Sequence, residues 1–475
     1  MQQEQPQRRW SAVSAIGIGA IALFLAVVLF AIVQNYCCSP RIDKALYLSP
    51  MIRDGRVHEA RAKCKVHLHN RTAESCAGYL TVDEAHGSNM FFWFFPAANG
   101  QPDAPVVLWL QGGPGASSLY SVFNEHGPFT VNEAGDLLPH KHTWTATLSV
   151  LYVDNPVGTG YSFTGDEEGY STNQTAVAKN MYAALVQFFE LYPEYRLNDF
   201  YVTGESYAGK YVPAVSYAIH QNNPGAQVKI NLKGLAIGNG LIDPVNQMVY
   251  SEYLSERGLI DDFDKAFVET MDGQARELIT AGNYSAAYEA MSMPLSLFTK
   301  FTGLKYIYNV MWEHDPIPYK DGHWFQYVQR TPVRKALHVG LNKFSGMDEV
   351  FGRMKNDVPL SVAPWLAELL DSGLYRVLLY SGLLDAIVPY QGTMKVAKAL
   401  RWNGAEQFAK ANSTIWMESV PDCRLRCNTT TAGHATTYGP LTVLLVRNAG
   451  HMVPHDQPMW AYRMIDRFTS GKSFD

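Results

Sequence analysis

The sequence predicts an α/β fold built on a mainly parallel sheet, and three features point to it. Short apolar, β-branched or aromatic runs recur at residues 91–95, 106–110, 148–153, 200–203, 235–237, 376–380 and 441–446. Bounded by Gly, Pro and Asn, they have the look of strands buried on both faces. Between them lie helical patterns: Val177, Met181, Leu185, Phe188 and Tyr192 recur at three- and four-residue steps, and a second helix is expected over 207–220. Glycine-rich loops carrying serines follow several strands, where a parallel sheet places its site. From about 246 to 364 the strand signal gives way to helical, aromatic sequence. Lying between sheet-forming halves, that stretch reads as an inserted helical cap.

Composition narrows the function. The 475 residues are 47% apolar and only 17% charged, so a large core is available and disorder is excluded for most of the chain. A net charge of −5 and the absence of a long Lys/Arg run exclude nucleic-acid binding driven by phosphate neutralisation. The six cysteines include no C-x-x-C pair, so a zinc ribbon or a thioredoxin-like site is unsupported; no metal or cofactor is expected. Local pairing of Cys64 with Cys76, and of Cys423 with Cys427, stays open if the compartment is oxidising.

The N-terminal part reads as a short tail (1–10), an uncharged run (11–33) and a polar stem or linker (34–75), ahead of a folded domain over 76–475. The run at 11–33 is led by Arg8 and Arg9 and is long enough to cross a membrane. It is either a signal-anchor or a signal that is cleaved. Both readings place everything after about residue 40 in the secretory pathway, in a lysosomal or endosomal lumen or outside the cell. Membrane contact is expected only through 11–33. N-x-S/T sequons at Asn70, Asn173, Asn283, Asn412 and Asn428 are glycosylation candidates on that route.

Three strand-end loops hold a serine after a glycine: Ser117 in Gln111-Gly-Gly-Pro-Gly-Ala-Ser117, Ser162 in Gly158-Thr-Gly-Tyr-Ser162, and Ser206 in Gly204-Glu-Ser-Tyr-Ala-Gly209. Only the third passes directly from strand to helix, the setting of a nucleophile elbow, although Ala208 replaces the last glycine of the common G-x-S-x-G pattern. Acylation of a serine needs two backbone N–H groups aimed at the developing oxyanion. Tyr207 offers one, and the side-chain-free loop at Gly112 and Gly113 can approach closely enough to offer the other. In the chain order serine, acid, histidine, Asp385 and His451 follow later strands; Asp243, His434 and His455 are rivals on spacing.

The segments Trp109-Leu-Gln-Gly-Gly-Pro-Gly115, Asp154-Asn-Pro-Val-Gly-Thr-Gly-Tyr-Ser162, Gly204-Glu-Ser-Tyr-Ala-Gly-Lys-Tyr-Val-Pro213 and Gly450-His-Met-Val-Pro454 resemble the serine carboxypeptidase family, closest to its vitellogenic-like branch. The resemblance runs from about residue 78 to 468. It implies an α/β-hydrolase fold with a helical cap and removal of C-terminal residues from peptides and proteins through an acyl-enzyme. By position it implies Ser206 as nucleophile, His451 as base and acid, Asp385 as orienting carboxylate, and Gly113 and Tyr207 as the oxyanion donors. Gln111, Gly112, Glu125 and Glu205 match the positions that grip the substrate's terminal carboxylate.

Two glutamates gripping an anion is chemically informative. Close carboxylates do not both ionise cheaply, so one holds a proton and donates it, which favours binding in acid. Two positions depart from the family pattern: Gln111 stands where many members carry Asn, and Ala116 where a cysteine often follows the glycine loop. The partner expected is a peptide or protein C-terminus, with a homodimer left open. The competing readings are an acyltransferase of the same fold, against which both glutamates argue, and a non-catalytic binding module tethered by 11–33, against which the intact Ser206, Asp385 and His451 argue.

Overall fold

The structure is a computed structural model that describes residues 44–68, 73–316, 318–418 and 429–475. Its strands are β1 (Cys76–Asp83), β2 (Ser88–Phe95), β3 (Val106–Leu110), β4 (Phe129–Val131), β5 (Leu137–Pro139), β6 (Ser149–Val153), β7 (Phe200–Glu205), β8 (Leu232–Gly238), β9 (Arg376–Gly382), β10 (Ser413–Glu418), β11 (Thr430–Tyr438) and β12 (Leu441–Val446). Ten of them form one sheet in the order β1-β2-β6-β3-β7-β8-β9-β12-β11-β10, and β4 and β5 pair separately. The six central strands, β6 to β12, run parallel. Antiparallel strands extend both flanks.

The central strands are apolar throughout because both faces are covered, and alternate residues point to opposite sides. Val106, Leu108 and Leu110 of β3 enter one core, with Val177, Met181, Leu185 and Phe188 of the helix Gln174–Leu191. Val107 and Trp109 enter the other, with Trp93, Trp144 and the helix Pro458–Thr469. The helix Gln174–Leu191 starts where Asn173 Oδ1 accepts the Ala176 N–H at 2.9 Å, a side-chain cap for one of the unpaired amides of the first turn. The second expected helix is Ala208–Asn222.

Between β8 and β9 the described chain forms helices and turns, from Pro244–Gln247 to Ala363–Asp371. The stretch 246–364 expected as a cap lies within it. Its long helix Asp262–Thr280 begins at Asp261, whose side chain accepts from Asp264 N at 2.9 Å.

The expected stem is different from its reading over 44–68. Residues 49–53 and 57–63 are helical, and Leu48, Ile52 and Ala60 are buried in the core beside Phe94 and Phe188. Cys64 and Cys76 form a disulfide that fastens this segment to the first residue of β1. Polar composition hid a few well-placed apolar residues. The run 11–33, the sequons Asn70 and Asn428, and Cys37, Cys38, Cys423 and Cys427 lie outside the described residues.

Candidate active site

Ser206 sits between β7 and the helix Ala208–Asn222 at φ 63°, a left-handed conformation that is unfavourable for a side-chain-bearing residue. Backbone hydrogen bonds hold it there: Ser206 N–H donates to Gly238 O at 2.9 Å, and Ser206 O accepts from Gly209 N at 2.9 Å and Leu241 N at 3.0 Å. Ala208 is accommodated because Gly204 opposite is bare; a Cβ on Gly204 would stand 2.7 Å from the Ala208 methyl and 2.4 Å from Leu110 O. The strand glycine, rather than the one missing after the serine, therefore keeps the elbow tight. Gly112 plays the matching part from the β3 loop: a Cβ there would lie 2.6 Å from Tyr207 N and 2.7 Å from Ser206 Cβ. Gly113, at φ 110°, holds the turn of the loop: a Cβ there would lie 2.7 Å from Ala116 N.

Ser117 and Ser162 have other work. Ser117 Oγ donates to Asp154 Oδ1 at 2.5 Å, while Ser162 Oγ donates to Asp154 O at 2.7 Å and accepts from Phe91 N at 2.8 Å. Both knit the second glycine loop to the sheet.

His451 follows β12 and Asp385 follows β9. His451 Nδ1 lies 2.7 Å from Asp385 Oδ2, with both side chains buried. Asp385 also accepts from Asn239 Nδ2 at 2.7 Å, Ile387 N at 2.8 Å and Val388 N at 3.3 Å. The other ring nitrogen, Nε2, is buried with no hydrogen-bond partner among the described residues. A histidine bonded to a carboxylate through Nδ1 and open at Nε2 is arranged to take a proton from an approaching hydroxyl. The rivals are elsewhere: Asp243 accepts from Asn246, His434 is exposed on β11, and His455 bonds Asp456.

Asn239 was not legible as a site residue. It follows β8 at φ 41°, receives Gly382 N on Oδ1 at 3.1 Å, and thereby aims Nδ2 at Asp385. The one signal was an asparagine between two glycines at a strand end, a place where a left-handed residue is common.

Beside these groups a second polar cluster is buried: Gln111, Ser121, Glu125 and Glu205. Gln111 Nε2 donates to Glu205 Oε1 at 2.8 Å; its Oε1 accepts from Trp109 Nε1 at 3.0 Å and Ser121 Oγ at 2.7 Å. Ser121 Oγ also lies 3.0 Å from Glu125 Oε1. The remaining oxygens, Glu125 Oε2 and Glu205 Oε2, find no donor among the described residues. Burial, and for Glu205 also the facing Glu125, pushes both carboxyls above the usual carboxylate range. A single proton held between them satisfies both oxygens and removes one charge.

A cavity of about 180 Å³ opens against Gly113, Ser206 and Tyr207. Its far walls are Met248, Tyr250, Met291, Leu295, Phe351 and Val358 from the helical region, with Ile387 and Val388 following Asp385. One wall is clamped from within. Lys210, fully buried on the nucleophile's helix, donates to the carbonyls of Asp357, Val358 and Leu360, and its Nζ lies 3.2 Å from Asp357 Oδ2. The same carboxylate accepts from Tyr207 OH at 2.6 Å and Gln174 Nε2 at 2.7 Å. Burial pushes the Lys210 ammonium down to about 8. This lysine lies in the segment 204–213, whose sequence gives no reason for it.

A parallel sheet with a strained serine at one strand end and a buried Asp–His pair at two others defines a serine hydrolase of the α/β-hydrolase fold. The chain belongs to the serine carboxypeptidase family, whose model matches residues 67–471. It is 46% identical over 439 residues to a venom serine carboxypeptidase of Apis mellifera, covering 90% of this chain and 91% of that protein. It is 40% identical to a vitellogenic carboxypeptidase of Aedes aegypti over 89% of each, and 40% to a probable serine carboxypeptidase, CPVL, of Homo sapiens over 90% of each. Among solved structures, a prohormone-processing carboxypeptidase of Saccharomyces cerevisiae, Kex1Δp, superposes with a TM-score of 0.75 at 25% identity, covering 87% of this chain and 96% of that one.

Proposed function

We propose that this serine carboxypeptidase releases C-terminal residues through an acyl-enzyme on Ser206 and grips its substrate best in acid. The observation that carries the reading is the buried His451–Asp385 pair, with Nε2 without a partner among the described residues, at the ends of β12 and β9 in the same parallel sheet whose β7 ends in the Ser206 elbow. Ser206 Oγ attacks the scissile carbonyl carbon as its proton passes to His451 Nε2. Asp385 stabilises the imidazolium, and the Gly113 and Tyr207 N–H groups take the oxyanion. Collapse expels the C-terminal residue as an amine, protonated by His451. Water, deprotonated by the same nitrogen, then attacks the ester, and the shortened peptide leaves with Ser206 restored.

The leaving residue's carboxylate is received by Gln111 Nε2, the Gly112 N–H and the protonated member of the Glu125–Glu205 pair. The cavity beside Ser206 touches none of the gripping side chains, so it takes the side chain on the acyl side of the scissile bond. Its Met, Leu, Tyr, Phe and Val lining suits an apolar residue there.

The Cys64–Cys76 disulfide supports an oxidising, secretory setting, as do the exposed sequons Asn173, Asn283 and Asn412. Among the described residues no helix is long and apolar enough to cross a membrane. Two experiments test the proposal. A fluorophosphonate should label Ser206, and Ser206→Ala should lower turnover about 10³-fold or more. Labelling at another serine would overturn the assignment.

A further inference from the structure

Gln111 poses a problem that its neighbours solve. Its amide stands at the end of a longer side chain than asparagine's, with one more torsion to immobilise before Nε2 points reliably at a substrate. Among the described residues no backbone group holds that amide. Three side chains do: Glu205 Oε1 accepts from Nε2 at 2.8 Å, while Trp109 Nε1 at 3.0 Å and Ser121 Oγ at 2.7 Å donate to Oε1. Of the two donors to Oε1, the serine is the nearer. The indole N–H is shared, since it also reaches Ser121 Oγ at 2.7 Å. Ser121 is fully buried on the helix Leu119–Asn124, four residues before Glu125, and its hydroxyl touches Glu125 Oε1 at 3.0 Å. One small hydroxyl thus meets the amide, the indole and a glutamate, accepting from the indole and giving its single proton to Gln111 Oε1 or to Glu125 Oε1.

We infer that Ser121 is a positioning residue for the carboxylate grip, locking the Gln111 amide with its N–H bonds facing the site and tying it to Glu125. This rests on the proposed role of Gln111 and Glu125 in binding the substrate's terminal carboxylate. Without the hydroxyl, Gln111 Oε1 keeps only the longer indole N–H bond, its side chain samples other rotamers, and the contact that ties it to Glu125 is gone. The effect is confined to substrates with a free carboxylate, because only they use the grip. Ser121 does not touch the reacting bond.

The test is a mutant cycle read as the ratio of kcat/KM for a peptide to that for its C-terminal amide. Ser121→Ala should lower the ratio about tenfold, the loss of one buried hydrogen bond, with most of the change in KM of the free acid. In a Gln111→Ala background the same substitution should lower it little further, since Ser121 acts through the amide. Ser121→Cys fills the same space with a poor donor and should resemble alanine. An equal loss in both backgrounds, an equal loss for acid and amide, or full rescue by cysteine would each overturn the inference in favour of packing. A Gln111→Ala variant with the wild-type ratio would instead overturn the carboxylate-grip reading itself, and this inference with it.

Discussion

Raising the pH should weaken peptide binding by removing the proton shared by Glu125 and Glu205. Each carboxyl has one bonded oxygen, facing Ser121 or Gln111, and one without a donor among the described residues. Deprotonation therefore leaves two buried carboxylates facing the substrate's own, with one charged hydrogen bond gone. A hydrogen bond to a charged group contributes about 1.5–3 kcal/mol, equivalent to roughly 10- to 150-fold in affinity. The Michaelis constant for a free-acid peptide should thus climb by at least about tenfold between about pH 5 and 8, while turnover changes less. The peptide's C-terminal amide should show no such climb. Glu125→Gln or Glu205→Gln keeps a neutral donor at every pH and should flatten the curve, with some loss of activity. The same protons stabilise the fold: both carboxyls are raised above their ordinary value of 4.5, so their contribution is complete below that pH and is lost as pH rises through the higher folded range. Thermal melts should accordingly fall from pH 5 to 8, and less steeply in Glu125→Gln. Equal pH dependence of KM for acid and amide would refute the shared-proton account.

Asn239→Asp preserves size and tolerance for a left-handed backbone but sets a second carboxylate against Asp385 in place of a donor; kcat should fall about 10- to 100-fold with little change in KM, measured on one peptide at saturation. Lys210→Met strips Asp357 of its buried cation and should cost about 3–5 kcal/mol in urea denaturation. The double variant Lys210→Met, Asp357→Asn should recover most of that loss, because no charge is then left unpaired.

The central strands were legible because burial on both faces writes itself as continuous apolar sequence, as in Val-Val-Leu-Trp-Leu of β3. The edges were not. β11, Thr-Thr-Ala-Gly-His-Ala-Thr-Thr-Tyr, is neither apolar nor cleanly alternating, and β10 exposes Ile415 and Met417. Ser206 could be read from its own neighbours, since an elbow is a local structure. Asn239 and Lys210 could not, because each takes its role from a partner distant in the chain, Asp385 or Asp357, and Ser121 could not because its partner Gln111, though ten residues away, lies across the glycine loop. A polar residue in an apolar neighbourhood signals that it is paired, but the sequence does not say with what.

The order of the strands has a consequence for biosynthesis. A chain made from its N-terminus completes β3, β7 and β8 with Ser206 already in its turn, yet the neighbour of β8 in the sheet is β9, which comes only after the whole helical insertion. Until then the nascent chain carries an open, apolar parallel edge, the kind of surface that recruits chaperones or mispairs with another copy. Asp385 arrives with β9, and His451 later still, after β12. A truncated or stalled product can therefore display the serine without its base. On the proposed triad, hydrolytic power is gained only after β12 is made, once β9 has sealed the exposed edge of β8.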